Sequence, residues 1–311
     1  MSLLSISIIN FLILILTFLF YKNYLGNYFL DLPNARSAHS SPVPRGAGIV
    51  FSLYSSICTL LSGSYSTVIC LPLSIVGFLD DKFSISSKNR YLCQLLTVIV
   101  IIYFSSLFQL SFNLFSLLLF LILCVVGTGV INFCNFLDCL DGLLASTSLV
   151  VFSTISMEDT TLLPLVFSLS IFLFFNWNPA RIFMGDAGST FLGAILFGIA
   201  MNSNSPYQFI SKLLLLSPIF LDAVSCIILR FINGYNIFKA HRMHLAQRLF
   251  LAGWSSSKVS LVYSFATAIM CTLYLRTNLF YMILFFIFLF IVGIVLDKNF
   301  AKPFPMKSIF N

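Results

Sequence analysis

Apolar residues in this chain run in long blocks instead of alternating with polar ones, and polar residues collect in the gaps. The blocks cover 2–21, 46–62, 66–79, 91–108, 112–132, 140–156, 161–176, 188–201, 210–231, 257–275 and 277–296. A helix needs about 20 apolar residues to cross a bilayer. Several blocks are shorter or interrupted by Gly, yet all are too long and too evenly apolar for half-buried strands. The pattern predicts an all-α, polytopic integral membrane protein of about 11 transmembrane helices, with residues 1–311 forming one membrane domain. The first block has no basic leader and no small-residue cleavage site, so it reads as a retained span and not as a signal peptide.

Composition strengthens this picture. Hydrophobic residues make up 59% of the chain and charged residues 9%, where soluble domains carry about 25% charged residues. Eleven crossings at about 20 residues each leave room only for loops, so the chemistry falls to loops and helix ends. With the N-terminus outside and the spans alternating, only Lys212 and Arg276 of the 17 Lys and Arg lie outside. That asymmetry predicts an N-out, C-in topology with working loops at about 22–45, 80–90, 133–141, 177–188 and 232–256 on the cytoplasmic side. It also accounts for the net charge of +7 by topology, without a nucleic-acid partner. The eight cysteines contain no C-x-x-C pair and read as small buried hydrophobes, neither a disulfide framework nor a zinc site.

Candidate chemistry concentrates on the inner face. Asp80 and Asp81 are adjacent carboxylates that repel unless a cation, a proton or a basic neighbour offsets them; Lys82, Lys88 and Arg90 follow closely. A solvated loop is the plainer reading. Asn135, Asp138 and Asp141 are spaced for one helix face beside an apolar run where unpaired acids are expensive. Capping would explain one of them, whereas a hard cation or a sugar or base would explain all three. Asp186 lies between Gly185 and Gly188 ahead of another span, suited to Mg2+ beside a phosphate or to a simple cap. Phe183 is placed to stack on a base, although on that residue alone one more core or lipid-facing Phe is the stronger reading. His241, Arg242 and His244 suit phosphate or a merely basic loop, and no neighbouring Cys or acid in sequence completes a zinc site with the two histidines. Arg36, His39 and Arg45 sit in a Pro- and Gly-rich first inner loop that fits a phosphate-facing segment or a connector. Asp222 and Arg230, inside the ninth block, read as structural, each satisfied by the other or by neighbouring helices. Acids for Mg2+ and basic groups for phosphate together imply phosphoryl chemistry beside lipid. No Walker A sequence is present.

The ordered stretches PNARSAHSSPVPRGAG, GFLDDK, NFCNFLDCLDG, FNWNPARIFMGDAGS and HRMHLAQRL resemble the polyprenyl-phosphate N-acetylhexosamine-1-phosphate transferases (glycosyltransferase family 4), from about residue 33 to about 250. The H-R-x-H loop looks like the branch that initiates O-antigen or capsule, unlike the triple-histidine form of the muramoyl-pentapeptide branch. The resemblance implies transfer of N-acetylhexosamine-1-phosphate from a UDP-sugar to undecaprenyl phosphate at the bacterial cytoplasmic membrane. UMP is released, and Mg2+ (or Mn2+ in its place) is required. A homodimer is a further expectation. By motif it implies catalytic roles for Asp80, Asp81, Asp138, Asp141, His241 and His244, substrate contacts from Arg36, His39, Asn135, Phe183 and Arg242, and metal binding by Asp186. Cys139 stands where the family has a Gly, and Ala47 interrupts a Gly run. The rival reading is a cation-coupled transporter, which would hold its acids near the bilayer midplane. An intramembrane prenyltransferase would favour D-x-x-x-D pairs instead.

Overall fold

The computed structural model describes residues 3–33, 41–109, 111, 113–237, 239 and 241–305, with side chains described from residue 10 onward. Thirteen α-helices occupy these residues: α1 (Leu3–Asn23), α2 (Gly48–Leu61), α3 (Leu71–Phe83), α4 (Ser87–Tyr103), α5 (Leu114–Leu137), α6 (Leu143–Ile155), α7 (Leu163–Asn176), α8 (Gly185–Met201), α9 (Pro206–Leu214), α10 (Ser217–Ile232), α11 (Leu245–Leu251), α12 (Ser256–Arg276) and α13 (Leu279–Asn299). Every apolar block coincides with a helix. The ninth block is two helices, α9 and α10, bent by 81°. Pro206 and Pro218 open the two pieces, and Pro at a helix start is tolerated because its missing N–H has no partner there anyway. Among the described residues three helices (α5, α12 and α13) are long and apolar enough to cross a bilayer alone, and a fourth span results if the bent pair counts as one.

Helix ends follow local chemistry. Ser86 accepts from Asn89 N at 3.4 Å and starts α4 several residues before its apolar block, while Ser84 takes a left-handed conformation (φ 51°) to end α3. These two serines turn the chain back on itself within a few residues, so Arg90 returns to the end of α3. Two elements are absent from the hydropathy pattern: the short α11, and a two-stranded antiparallel ribbon, β1 (Leu30–Asp31) and β2 (Val43–Pro44), in which Leu30 faces Pro44 and Asp31 faces Val43. Both are too short to leave a periodic signal.

Helix α8 is the axis of the bundle. All but one of its residues are buried, and α2, α3, α4, α5 and α9 pack around it. Large apolar side chains face outward instead, among them Leu117, Leu121 and Val125 on α5 and Ile287, Phe288 and Ile291 on α13. A soluble chain rarely exposes so much contiguous apolar surface; a lipid-facing one must. The inside of the bundle, by contrast, holds hydroxyl pairs such as Ser52 with Ser74 at 2.7 Å. Lys212 Nζ lies 4.0 Å from Glu158 Oε2, which also accepts from Tyr274 OH at 3.0 Å.

Candidate active site

The start of α8 is where the acids converge. Asp80 and Asp81 occupy the last turn of α3, beyond the apolar run that ends at Leu79, and Asp186 opens α8. Two arginines clasp them. Arg45 Nε is 2.7 Å from Asp81 Oδ1 and its Nη2 is 2.9 Å from Asp186 Oδ1. Arg90 Nη1 bridges Asp80 Oδ2 at 2.8 Å and Asp186 Oδ2 at 2.9 Å. Asp186 therefore holds both guanidiniums, and three helices and a loop meet on one carboxylate. From sequence, Arg90 is only positive charge near the aspartate pair, and Arg45 is a basic group of the phosphate-facing first loop; neither is marked there as a partner of Asp186. The signal available for Arg90 was the serine-flanked turn that folds it back onto Asp80.

Glycines make the approach possible. A Cβ on Gly185 (φ +64°) would lie 2.1 Å from Asp81 Oδ2, and one on Gly77 would lie 2.5 Å from Ala187 N. The ribbon aligns the first loop with the segment before α8: Phe183 N donates to Pro44 O at 2.8 Å, Ala47 N to Phe183 O at 3.0 Å and Gly48 N to Met184 O at 3.0 Å. Phe183 is thus half-buried beside Arg45. Tyr21 of α1 adds a hydrogen bond from its hydroxyl to the Arg45 carbonyl.

Asp138 caps the end of α5. Burial pushes its carboxyl up to about 7, with Arg45 opposing and Asp186 and Asp141 adding to the rise. Burial likewise pushes Asp81 up to about 8, against Arg45 and with Asp186 and Asp80 adding to it. Asp80 is raised as well, by burial first, with Arg90 opposing. Because the folded chain keeps protons on Asp81 and Asp138 that the unfolded chain would lose near 3.8, stability falls as pH rises from that value toward these raised pKa values. The metal-free protein should therefore melt at a lower temperature at pH of about 8 than at about 5, and a divalent cation that binds carboxylates should restore most of the loss. A melting temperature that climbs with pH in the absence of divalent ions would contradict the raised values.

The other motif residues separate into neighbours and braces. Asn135 Nδ2 donates to Ser189 Oγ at 3.1 Å, one turn into α8. Asp141 Oδ2 accepts from Ala180 N at 3.0 Å, and Asn176 accepts from Gly142 N at 3.1 Å and donates to Ile182 O at 2.9 Å. Those bonds hold the turn after α5 against the loop before α8. Cys139 has no left-handed backbone, whereas Gly142 does (φ +74°), so a side chain at 139 imposes no strain. Arg36 and His39 lie outside the described residues.

The histidine loop is suspended from α10. Asp222 accepts from Leu245 N at 2.7 Å, Ala246 N at 2.9 Å and Tyr263 OH at 2.8 Å, with His244 Nδ1 3.4 Å away. Arg230 donates to the carbonyls of Asn236, Ile237 and Lys239. The expected structural role of this pair thus takes the form of two anchors, one on each side of the loop, and not of an ion pair. His244 is buried, its ring 6.1 Å from that of Phe136 on α5 and 4.9 Å from His241. His241 is pulled down to about 4 by burial and then by the charges of His244 and Arg230, with Asp222 opposing, so it is neutral near pH 7. Arg242 exerts its field on Cys139, which brings the loop up to the turn that carries Asp138. Asp222→Ala should lower stability by about 3 kcal/mol, since it strands a buried and a part-buried N–H group and a buried hydroxyl; chemical denaturation in detergent measures it, and a loss under about 1 kcal/mol would refute the anchoring role.

The residues present fit Mg2+. Asp81 Oδ2 is buried without a hydrogen-bond partner, next to the space that a Cβ on Gly185 would fill. All the convergent donors are carboxylate oxygens, the ligand type a hard divalent cation takes.

A model of glycosyl transferase family 4 matches residues 64–204. The chain is 28% identical to the probable undecaprenyl-phosphate N-acetylglucosaminyl 1-phosphate transferase of Bacillus subtilis, over 88% of this chain and 87% of that one. It is 31% identical to the phospho-N-acetylmuramoyl-pentapeptide-transferase of Lactobacillus acidophilus, over 66% and 71%. With the undecaprenyl-phosphate alpha-N-acetylglucosaminyl 1-phosphate transferase of Escherichia coli K12 the identity is 27%, over 88% and 84%. The site at the head of α8 and these similarities together define a membrane-embedded phosphoglycosyl transferase. The chain belongs to glycosyltransferase family 4, the polyprenyl-phosphate N-acetylhexosamine-1-phosphate transferases.

Proposed function

We propose that this protein transfers N-acetylhexosamine-1-phosphate from a UDP-sugar to undecaprenyl phosphate and releases UMP, as the first membrane step of O-antigen or another cell-surface polysaccharide. The observation that carries this reading is the Asp80–Asp81–Asp186 cluster clasped by Arg45 and Arg90 at one end of the bundle. Its position at helix ends, away from mid-span, is what a surface transferase needs and a cation-coupled transporter does not. The membrane frame proposed with it is the single 11-span domain, N-out and C-in, with the five inner loops facing the cytoplasm.

The chemistry asks little of a base. A phosphate monoester's second pKa is about 6, so the lipid phosphate is mostly dianionic at neutral pH. One of its oxygens attacks the sugar-bearing phosphorus, the bond between the two UDP phosphates breaks, and UMP leaves with the electron pair. Positioning and charge neutralisation dominate such a transfer. Asp80 and Asp81 orient the polar ends, Asp186 with Asp81 would hold Mg2+, and Asp138 lines the same corner. Bound there, Mg2+ would neutralise pyrophosphate charge. Arg242 and His244 stabilise phosphate oxygens, and neutral His241 serves as a hydrogen-bond donor. Phe183 stacks on the uracil and Asn135 contacts the nucleotide. Asp141 supports the loop that presents Phe183. Arg36 and His39 complete the phosphate-facing first loop.

The deciding experiment supplies purified protein with undecaprenyl phosphate, Mg2+ and a panel of UDP-N-acetylhexosamines. UMP release that requires both lipid and metal is expected, and the preferred donor names the sugar. Folded protein that releases no UMP with any donor would overturn the reading.

A further inference from the structure

In sequence Cys226 reads as a small buried hydrophobe, 15 positions before His241, and no Cys beside the two histidines completes a metal site. The fold brings them together. One ligand atom from each lies within 4.8 Å of the others. Cys226 sits on α10 and both histidines on the loop that α10 suspends, so the cluster is the product of the two anchors at Asp222 and Arg230. We propose that these three side chains form a second metal site, separate from the carboxylate cluster, which binds Zn2+ or a similarly soft divalent ion.

The donor set decides the class of ion. One thiolate and two imidazoles suit zinc, whereas Mg2+ takes oxygen. A tetrahedral zinc ion keeps its ligand atoms roughly 3.4–3.7 Å apart, so shifts of about an ångström close the shell. The second sphere is already in place. Asp222 Oδ1 lies 3.4 Å from His244 Nδ1, the carboxylate–histidine arrangement that fixes a ligating ring and leaves Nε2 for the ion. His244 and Cys226 are each 2% exposed, and His241 is only partly buried, so the shell has one open side. The contact from Met243 N to His241 Nδ1 is long at 3.3 Å, and ring rotation on binding gives it up. Cys226 also borders a cavity of about 290 Å³, together with Asp222, Met243 and Arg248. Binding deprotonates the Cys226 thiol and releases that proton to solvent. Three protein ligands leave a fourth position open, as in exchangeable sites and unlike closed structural ones.

Zinc here would occupy both histidines assigned above to phosphate, so it should inhibit transfer; that consequence rests on the proposed function, while binding itself does not. Equilibrium dialysis against Zn2+, with the full chain in detergent, should show about one ion retained per chain, with about one proton released. The protein loaded with Co2+ should show the near-ultraviolet thiolate-to-cobalt charge-transfer band. Cys226→Ser and Cys226→Ala should abolish the band and weaken zinc retention at least tenfold, and His241→Gln should weaken it comparably. Asp186→Asn should leave retention unchanged. Zinc should inhibit Mg2+-dependent UMP release by the parent chain, and Cys226→Ser should keep that activity while losing the inhibition. Absence of the charge-transfer band, or equal zinc retention by folded Cys226→Ser, would overturn the site whether or not transfer is detected.

Discussion

Asp186→Asn should abolish Mg2+-dependent UMP release, by about 10³-fold or more in kcat, while leaving the chain folded. The substitution keeps the shape of the side chain and removes one charge. That charge is shared by Arg45 at 2.9 Å and Arg90 at 2.9 Å, so its loss leaves Arg45 to Asp81 and Arg90 to Asp80 alone and deprives a bound cation of an oxygen ligand. The same change in Asp141 should cost much less, because the carboxylate of Asp141 takes a backbone N–H from Ala180 and an amide oxygen can still accept it. Measured side by side, the two variants separate the corner at the head of α8 from the brace beneath it. Comparable losses in both would mean that loop placement, and not charge, limits the reaction.

Gly48→Ala should be among the most damaging single-methyl changes in the protein. A Cβ at Gly48 would lie 2.3 Å from both the Cα and the N of Gly188 and 2.7 Å from Met184 O. All three atoms are backbone, so no side chain can swing aside and α2 must retreat from α8. Overpacking of this kind costs about 3 kcal/mol. It would also pull Arg45, three residues before Gly48, away from Asp186. A lowered melting temperature together with lost transfer is the expected result. Ala47→Gly is the control: Ala47 has an ordinary helical backbone (φ −63°), and the change should cost no more than about 1 kcal/mol. If Gly48→Ala melts like the parent chain, the close approach of α2 and α8 does not carry the site.

Those glycines show where the sequence spoke clearly and where it did not. The apolar blocks located every long helix, since burial in lipid or in the bundle writes itself into composition over a dozen residues or more. The break at Leu215 and Leu216 between α9 and α10 lies inside a continuous apolar run, and hydropathy is blind to a bend that exchanges one apolar contact for another. Of the site, Asp80, Asp81 and Asp186 stood out because acids beside apolar runs demand partners. The identity of those partners was hidden: Arg45 is 141 residues from Asp186, and only tertiary structure selects it from among the basic residues of the inner loops. The departure at Ala47 looked like damage to a glycine run, yet the positions that need glycine are Gly46, with φ +85°, and Gly48. The irregularity at Cys139 is harmless for the same kind of reason. Cys226 was invisible as a ligand because its partners lie on another segment.

The anchors of the histidine loop have a mechanical meaning. Arg230 gathers the carbonyls at the beginning of the loop and Asp222 the amides at its end, and both belong to α10, which also exposes Ile228, Phe231 and Ile232. The loop hangs from one helix like a basket from a pole. Because both anchors stand on α10, any shift of that helix carries His241 and His244 with it, and α5, which packs against both α10 and α8, is what ties the loop to the carboxylates at the head of α8.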